Sequence, residues 1–249
     1  MQRLIALAAA LVLPASAAQA QDRGTVIGYV ATFKGLDAAI GEARAGNYTQ
    51  LDLAFVNPTP AGEVVGPDGL ACAPTADGAT ITDAELSAPG ASLPNVSDVQ
   101  LRAFVAAAHQ SGTKVVASFG GAIIPGCGGD WTRLLSPTMR PTVVANVLSM
   151  VDRYALDGVD VDLEGDLMTG IDRAGNYTPF VQAMAEGLHG RSKILTAATG
   201  SYPGGMVPDA SMPYFDVIGV MSYDQIGPTW GTPGGEHSTY AQAEADLRL

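Results

Sequence analysis

Apolar positions along the chain follow two alternating patterns. Six short runs are apolar with little interruption: Thr25–Phe33, Leu51–Val56, Lys114–Phe119, Gly158–Glu164, Ile194–Thr199 and Phe215–Tyr223. Each predicts a buried β-strand. Between them apolar residues recur at three- and four-residue intervals. Val99, Leu101, Phe104, Val105 and Ala108 predict a helix over Ser97–Gln110 with Ser97 as its cap. Val143, Val144, Val147, Met150 and Val151 predict a second over Pro141–Tyr154. Tyr177–Leu188 reads as a third, and Thr239–Leu249 begins a fourth. Near-continuous apolar strands separated by helices predict an α/β protein whose parallel sheet is covered by helices. No glycine-rich dinucleotide fingerprint follows a strand, which leaves a (β/α)8 TIM barrel or an open sheet. A barrel accommodates the Gly/Pro-rich segment Asn57–Pro94 as an insertion after the second strand, on the face where barrel active sites lie.

Six βα units do not close an eight-stranded barrel, and the helical pattern at Ala241–Leu249 runs on without a stop signal. The expectation is a barrel truncated after about six βα units, the N-terminal part of a longer protein. Ahead of the first strand, Arg3, the apolar run Leu4–Leu13 and Ala18-Gln19-Ala20 predict a secretory signal over residues 1–20. That run is too short to span a bilayer. Residues 21–249 then read as one barrel domain without repeat or linker.

Composition narrows the partners. Acidic residues number 25 against 13 basic ones, for a net charge of -12. Such a chain is repelled by polyphosphates and anionic lipid, which excludes nucleic acid and membrane surfaces as expected partners. A neutral polysaccharide carries no such penalty. Export, to the medium or a periplasm, gives the two cysteines a meaning: Cys72 and Cys127 can form a disulfide in an oxidising compartment, or remain thiols with partners elsewhere. His109, His189 and His237 show no ligand spacing, so neither a metal nor a cofactor is expected.

The fourth strand carries the chemistry. In Asp157-Gly158-Val159-Asp160-Val161-Asp162-Leu163-Glu164, alternation sends Asp160, Asp162 and Glu164 to one face and Val159, Val161 and Leu163 to the other. The apolar set suits the helices, so the acidic set points into the barrel, with Glu164 at the C-terminal end of the strand. Carboxylates about 7 Å apart on one face cannot all ionise in a partly dry site, so a proton is held among them. A carboxylic acid protonated near neutral pH can protonate a glycosidic oxygen. The rival readings are a structural salt bridge or cap, and a Mg²⁺ or Ca²⁺ site.

This octapeptide resembles the DxxDxDxE signature of glycoside hydrolase family 18, the chitinases and related endo-β-N-acetylglucosaminidases. Ser118-Phe119-Gly120-Gly121 resembles that family's SxGG motif, and Met221-Ser222-Tyr223-Asp224 its MxYD motif. The resemblance implies a substrate-assisted retaining hydrolysis of β-linked N-acetylglucosamine. In it Glu164 is the acid and base, Asp162 orients the substrate acetamido group, and Asp160 shares the Asp162 proton. Tyr223 bonds the acetamido oxygen and Asp224 the sugar or the neighbouring network. Ser118 supports Asp160, while Gly120 and Gly121 leave room for backbone or sugar, and Met221 belongs to the same wall. Tyr29 either lines the site or packs in the core. Trp131, Tyr202 and Trp230, which follow strands, are candidate stacking platforms. Chitin, peptidoglycan-type glycans and the chitobiose core of N-glycans all fit. A non-catalytic sugar-binding barrel and a metal-dependent hydrolase using the aspartates are the alternatives.

Overall fold

The computed structural model describes residues 24–76, 81–89, 93–202, 205–223 and 239–248. Its elements are β1 (Ile27–Ala31), α1 (Leu36–Ala45), β2 (Gln50–Val56), β3 (Gly69–Pro74), α2 (Asp83–Ser87), β4 (Asn95–Ser97), α3 (Asp98–Gln110), β5 (Lys114–Gly120), α4 (Trp131–Leu134), α5 (Arg140–Tyr154), β6 (Gly158–Asp162), α6 (Gly165–Arg173), α7 (Tyr177–His189), β7 (Ile194–Thr199), β8 (Val217–Val220) and α8 (Tyr240–Asp246). Six strands form one sheet in the order β1-β2-β5-β6-β7-β8. Every adjacent pair is parallel. The sheet curls with helices on its outer side, the arrangement of consecutive βα units in a (β/α)8 barrel. No helix among the described residues is long and apolar enough to cross a membrane.

Period-two alternation divides the strands. Leu51, Leu53, Val115, Ala117, Phe119, Val159, Val161, Leu195 and Ala197 are buried in the cluster they share with the helices. Leu101, Phe104, Val105, Val143, Val147, Met150, Val181, Met184 and Leu188 supply the helical side of that cluster. The other strand positions face inward in rows. Tyr29, Asp52, Val116, Gly158 and Ile194 are paired across the sheet. The next row holds Ala31, Ala54, Ser118, Asp160, Thr196 and Val217. Above it Gly120 is paired with Asp162. Near that row the Ala54–Phe55 peptide is cis and the β2–β5 register shifts.

Ser97 caps α3 through a reciprocal capping box with Gln100. Val99, expected in the apolar stripe, is exposed. At 100° per residue it lies about half a turn from Leu101, Phe104 and Ala108. The expected loop Asn57–Pro94 contains β3 and α2, and β3 pairs antiparallel with β4 immediately beyond it. Val64, Leu70, Ala73 and Val96 extend the main core there. Helix α1 was not marked by the pattern, because its cap is Gly35 without a side-chain bond and Gly41 interrupts it. The first, fourth and sixth strands are shorter than expected. In the fourth, Glu164 leaves the ladder to become the residue that opens α6.

Candidate active site

Asp160 is the anchor of the inner face. Its carboxylate is 1% exposed and accepts three hydroxyl hydrogen bonds. Thr196 Oγ1 donates to Oδ1 at 2.7 Å, Ser118 Oγ to Oδ2 at 2.7 Å, and Tyr29 Oη to Oδ2 at 3.2 Å. Ser118 and Thr196 flank Asp160 in the sheet register, so strand pairing itself sets two of these contacts. Burial pushes the Asp160 carboxyl up from its ordinary value, and the Ser118, Thr196 and Tyr29 hydroxyls pull it back. The Tyr29 phenol is raised by burial of its hydroxyl and then by the charges of Asp160, Asp52 and Asp162. Its ring remains half exposed at the mouth.

Asp162 lies one row higher, still buried, and its Oδ1 has no hydrogen-bond partner among the described residues. Burial, then the neighbouring Glu164 and Asp160 charges, push its carboxyl up to about 8. A protonated carboxyl at neutral pH is therefore present beside Glu164. The glycine pair after Phe119 positions Asp162. Gly120 and Gly121 both have positive φ, 108° and 83°. Gly121 N–H donates to the Asp162 carbonyl at 2.7 Å. A Cβ on Gly120 would meet that carbonyl oxygen at 2.2 Å, and one on Gly121 would meet the Phe55 ring at 2.5 Å. The room at Gly120 is thus taken by this chain's own backbone, not by a sugar.

Glu164 stands where two hollows meet. One, of ≈ 490 Å³, is lined by Tyr29, Phe33, Phe55, Asp162, Glu164, Met221 and Tyr223 among others. The second, of ≈ 450 Å³, has Glu164, Gly165, Tyr202, Met221 and Tyr223 in its wall. Tyr202 and Tyr223 are about half exposed, the state a sugar-facing ring requires. A smaller apolar hollow continues the first past Phe33, Phe55 and Ala122 towards α2.

One of the remaining residues sits elsewhere than expected. Trp131 is 2% exposed, its Nε1 donates to Asn57 Oδ1 at 3.0 Å, and its ring packs edge-on against Phe119 and Phe180. It is a core residue and offers no face to a ligand, because it opens α4 and tertiary packing closes over it. Ser118 is fully buried and reaches the cleft only through Asp160. Asp157 accepts from the Val115 backbone and contacts His109, at the opposite end of the strand from Glu164. Cys72 and Cys127 are bonded, with S–S 2.07 Å, tying β3 to the loop after β5. Asp224, Trp230 and the signal segment lie outside the described residues. Among the described residues no three His, Cys, Asp or Glu side chains form a group that could hold a metal ion. Sequence reasoning missed Thr196, Phe33 and Phe55, and it missed Asp52, whose position on the inner face follows from the alternation of β2.

A sequence profile described as glycosyl hydrolases family 18 matches residues 25–247. Exochitinase 1 of Streptomyces olivaceoviridis is 36% identical over 78 residues, 31% of this chain and 12% of that protein. A chitinase-like effector of Moniliophthora roreri is 29% identical over 153 residues, 55% of this chain and 36% of that protein. The chain therefore spans well under two thirds of either relative. Among solved structures, a chitinase from the chitin utilization locus of Flavobacterium johnsoniae is 26% identical with a TM-score of 0.64, covering 90% of this chain and 62% of that one. A chitinase from Chromobacterium violaceum shares the fold at 19% identity and a TM-score of 0.61, with 90% and 63% covered.

Proposed function

We propose, from the premise that this chain belongs to the glycosyl hydrolases family 18, that it hydrolyses β-1,4-linked N-acetylglucosamine glycans of the chitin kind, with Glu164 as general acid and base. The observation that carries this reading is the position of Glu164 on the border of two hollows, above a protonated Asp162 and a hydroxyl-held Asp160. A glycan laid across that border has its scissile oxygen beside Glu164 and sugars on either side. The names of the relatives favour chitin over peptidoglycan-type or N-glycan substrates.

The reaction runs in two halves. Glu164 transfers its proton to the glycosidic oxygen as the C1–O bond breaks and the leaving sugar departs as an alcohol. The substrate's acetamido oxygen forms the new bond to C1, giving an oxazolinium ion, so no protein nucleophile is needed. Asp162 holds the acetamido N–H and offsets the positive charge, and Asp160, fixed by Ser118, Thr196 and Tyr29, takes up the Asp162 proton as that charge grows. Tyr223 bonds the acetamido oxygen, and Met221 supports the wall. The Glu164 carboxylate then deprotonates a water that attacks C1, which reopens the ring and retains configuration. No metal or cofactor enters. The signal over residues 1–20 belongs to the same reading: the protein acts on a polymer outside the cytoplasm.

The test is hydrolysis of a chitooligosaccharide reporter in EDTA. Glu164→Gln loses at least about 10²- to 10⁴-fold in turnover while the oligosaccharide still binds. Unchanged turnover in that variant refutes the assignment, and loss of wild-type turnover on chelation favours a metal-dependent reaction. A second reading has one observation behind it, the likeness to a chitinase-like effector: oligosaccharide binding without wild-type turnover would support a binding protein on this fold.

A further inference from the structure

A fourth carboxyl group lies beneath those already assigned. Asp52 is 0% exposed in the middle of β2, between Leu51 and Leu53, which face the helices. In the sheet register it is opposite Tyr29 on β1 and Val116 on β5, one row below Ser118, Asp160 and Thr196. Gln50 Nε2 donates to its Oδ1 at 2.7 Å, while Oδ2 is buried with no hydrogen-bond partner among the described residues. The groups that act on it electrostatically are Asp160 and Asp162 from β6, and it acts in turn on the Tyr29 phenol from β1. Its register partner on β5 is the uncharged Val116, and Lys114, opposite Gln50, is exposed to solvent. Asp52 is therefore enclosed with one neutral donor, a phenol and two further carboxyls, without a cation among the described residues. A carboxylate in such a place is strongly disfavoured, and the neutral acid is the stable form.

We propose that Asp52 is a positioning residue for the acidic stack: a carboxylic acid that stays neutral while the site works, and whose ionisation at higher pH holds the protons of the groups above it. In its neutral form it leaves the one negative charge the interior can carry to the Asp160–Asp162 pair, beside the sugar. Burial first, then Asp160, push its carboxyl up to about 8, against the pull of the Gln50 amide and with a further push from Asp162. When Asp52 ionises, its charge acts on Asp162, which is itself coupled to Glu164. The catalytic consequence rests on the hydrolase reading above, but the protonation state does not.

Two measurements on Asp52→Asn, an isosteric neutral mimic, test this. Difference infrared spectroscopy of wild type against the variant at pH 7 should show the loss of a protonated-carboxyl band. Loss of an ionised carboxylate band instead overturns the proposal, whether or not the protein turns over substrate. In the pH–rate profile the variant should keep kcat within about threefold at pH 6, since the neutral form is preserved. Its alkaline limb should fall about half a unit lower, because the charge that held the protons is gone. Profiles that superimpose, or a folded variant without turnover beside an active wild type, overturn it. Wild type without turnover counts against the hydrolase reading alone, and the infrared result still decides the state of Asp52.

Discussion

Just ahead of β6 and β8, aspartates are met by histidines and backbone donors; on the inner face of the sheet they are not. Asp157 Oδ2 accepts from Val115 N at 2.8 Å and contacts His109 Nε2 at 2.7 Å, with Lys193 Nζ 3.8 Å from Oδ1. Asp216 repeats the device on the next strand pair, with Leu195 N at 2.8 Å and His189 Nε2 at 3.0 Å. Among the described residues, Asp52, Asp160 and Asp162 have hydroxyl and amide partners, or none, and no cation. Lower aspartates fasten strands to helices. Those on the inner face are held in an unfavourable protonation state, the one that the proposed hydrolysis would draw on.

The largest effect that would break this comparison is at Asp162. Asp162→Asn should lower turnover about 10²-fold or more, since the charge facing the oxazolinium is lost, measured as kcat with the same reporter. The same substitution should stabilise the fold at alkaline pH. The folded carboxyl titrates near 8 against an ordinary 3.8, so the folded state binds more protons between those values. Wild-type stability accordingly falls as pH rises from about 4 to about 8. The variant lacks that fall, so its thermal midpoint should exceed that of wild type at pH 8 and match it below pH 4. A variant less stable at pH 8 would show that Asp162 belongs with the lower set.

Asp157→Ala should do the reverse. It leaves the Val115 N–H and His109 without their acceptor, at about 1–3 kcal/mol of stability, with kcat unchanged. A loss of kcat beyond a few-fold at unchanged stability would contradict the division. The smallest effect is expected at Arg102→Ala, which removes an exposed bridge to Asp98. Its slight loss of thermal midpoint should vanish in high salt, with no change in kcat.

The acidic triplet was legible because alternation is local: neighbouring residues of a strand must face opposite ways, whatever the rest of the chain does. The six parallel strands were legible for the same reason, since long apolar runs and capped helices declare themselves. Asp52 was not, because one acidic residue among Leu51, Leu53 and Phe55 resembles any polar interruption, and its neighbours Tyr29 and Asp160 come from distant strands. Trp131 failed in the opposite direction. A tryptophan in a Gly-rich stretch looks exposed, and only the packing of Asn57, Phe119 and Phe180 around it shows otherwise. The β3–β4 pair escaped notice because β3 is Gly-, Ala- and Pro-containing without clear alternation and β4 is only three residues long.

The bond between Cys72 and Cys127 closes a span of 55 residues, which by chain-entropy reasoning contributes about 4 kcal/mol. It anchors the wall formed by Ala122–Pro125 beside the apolar hollow. A wall fastened covalently does not depend on its own side chains to keep its place. Those positions are therefore free to diverge, and diversification within this lineage should run through 122–125 well before it reaches either sulfur.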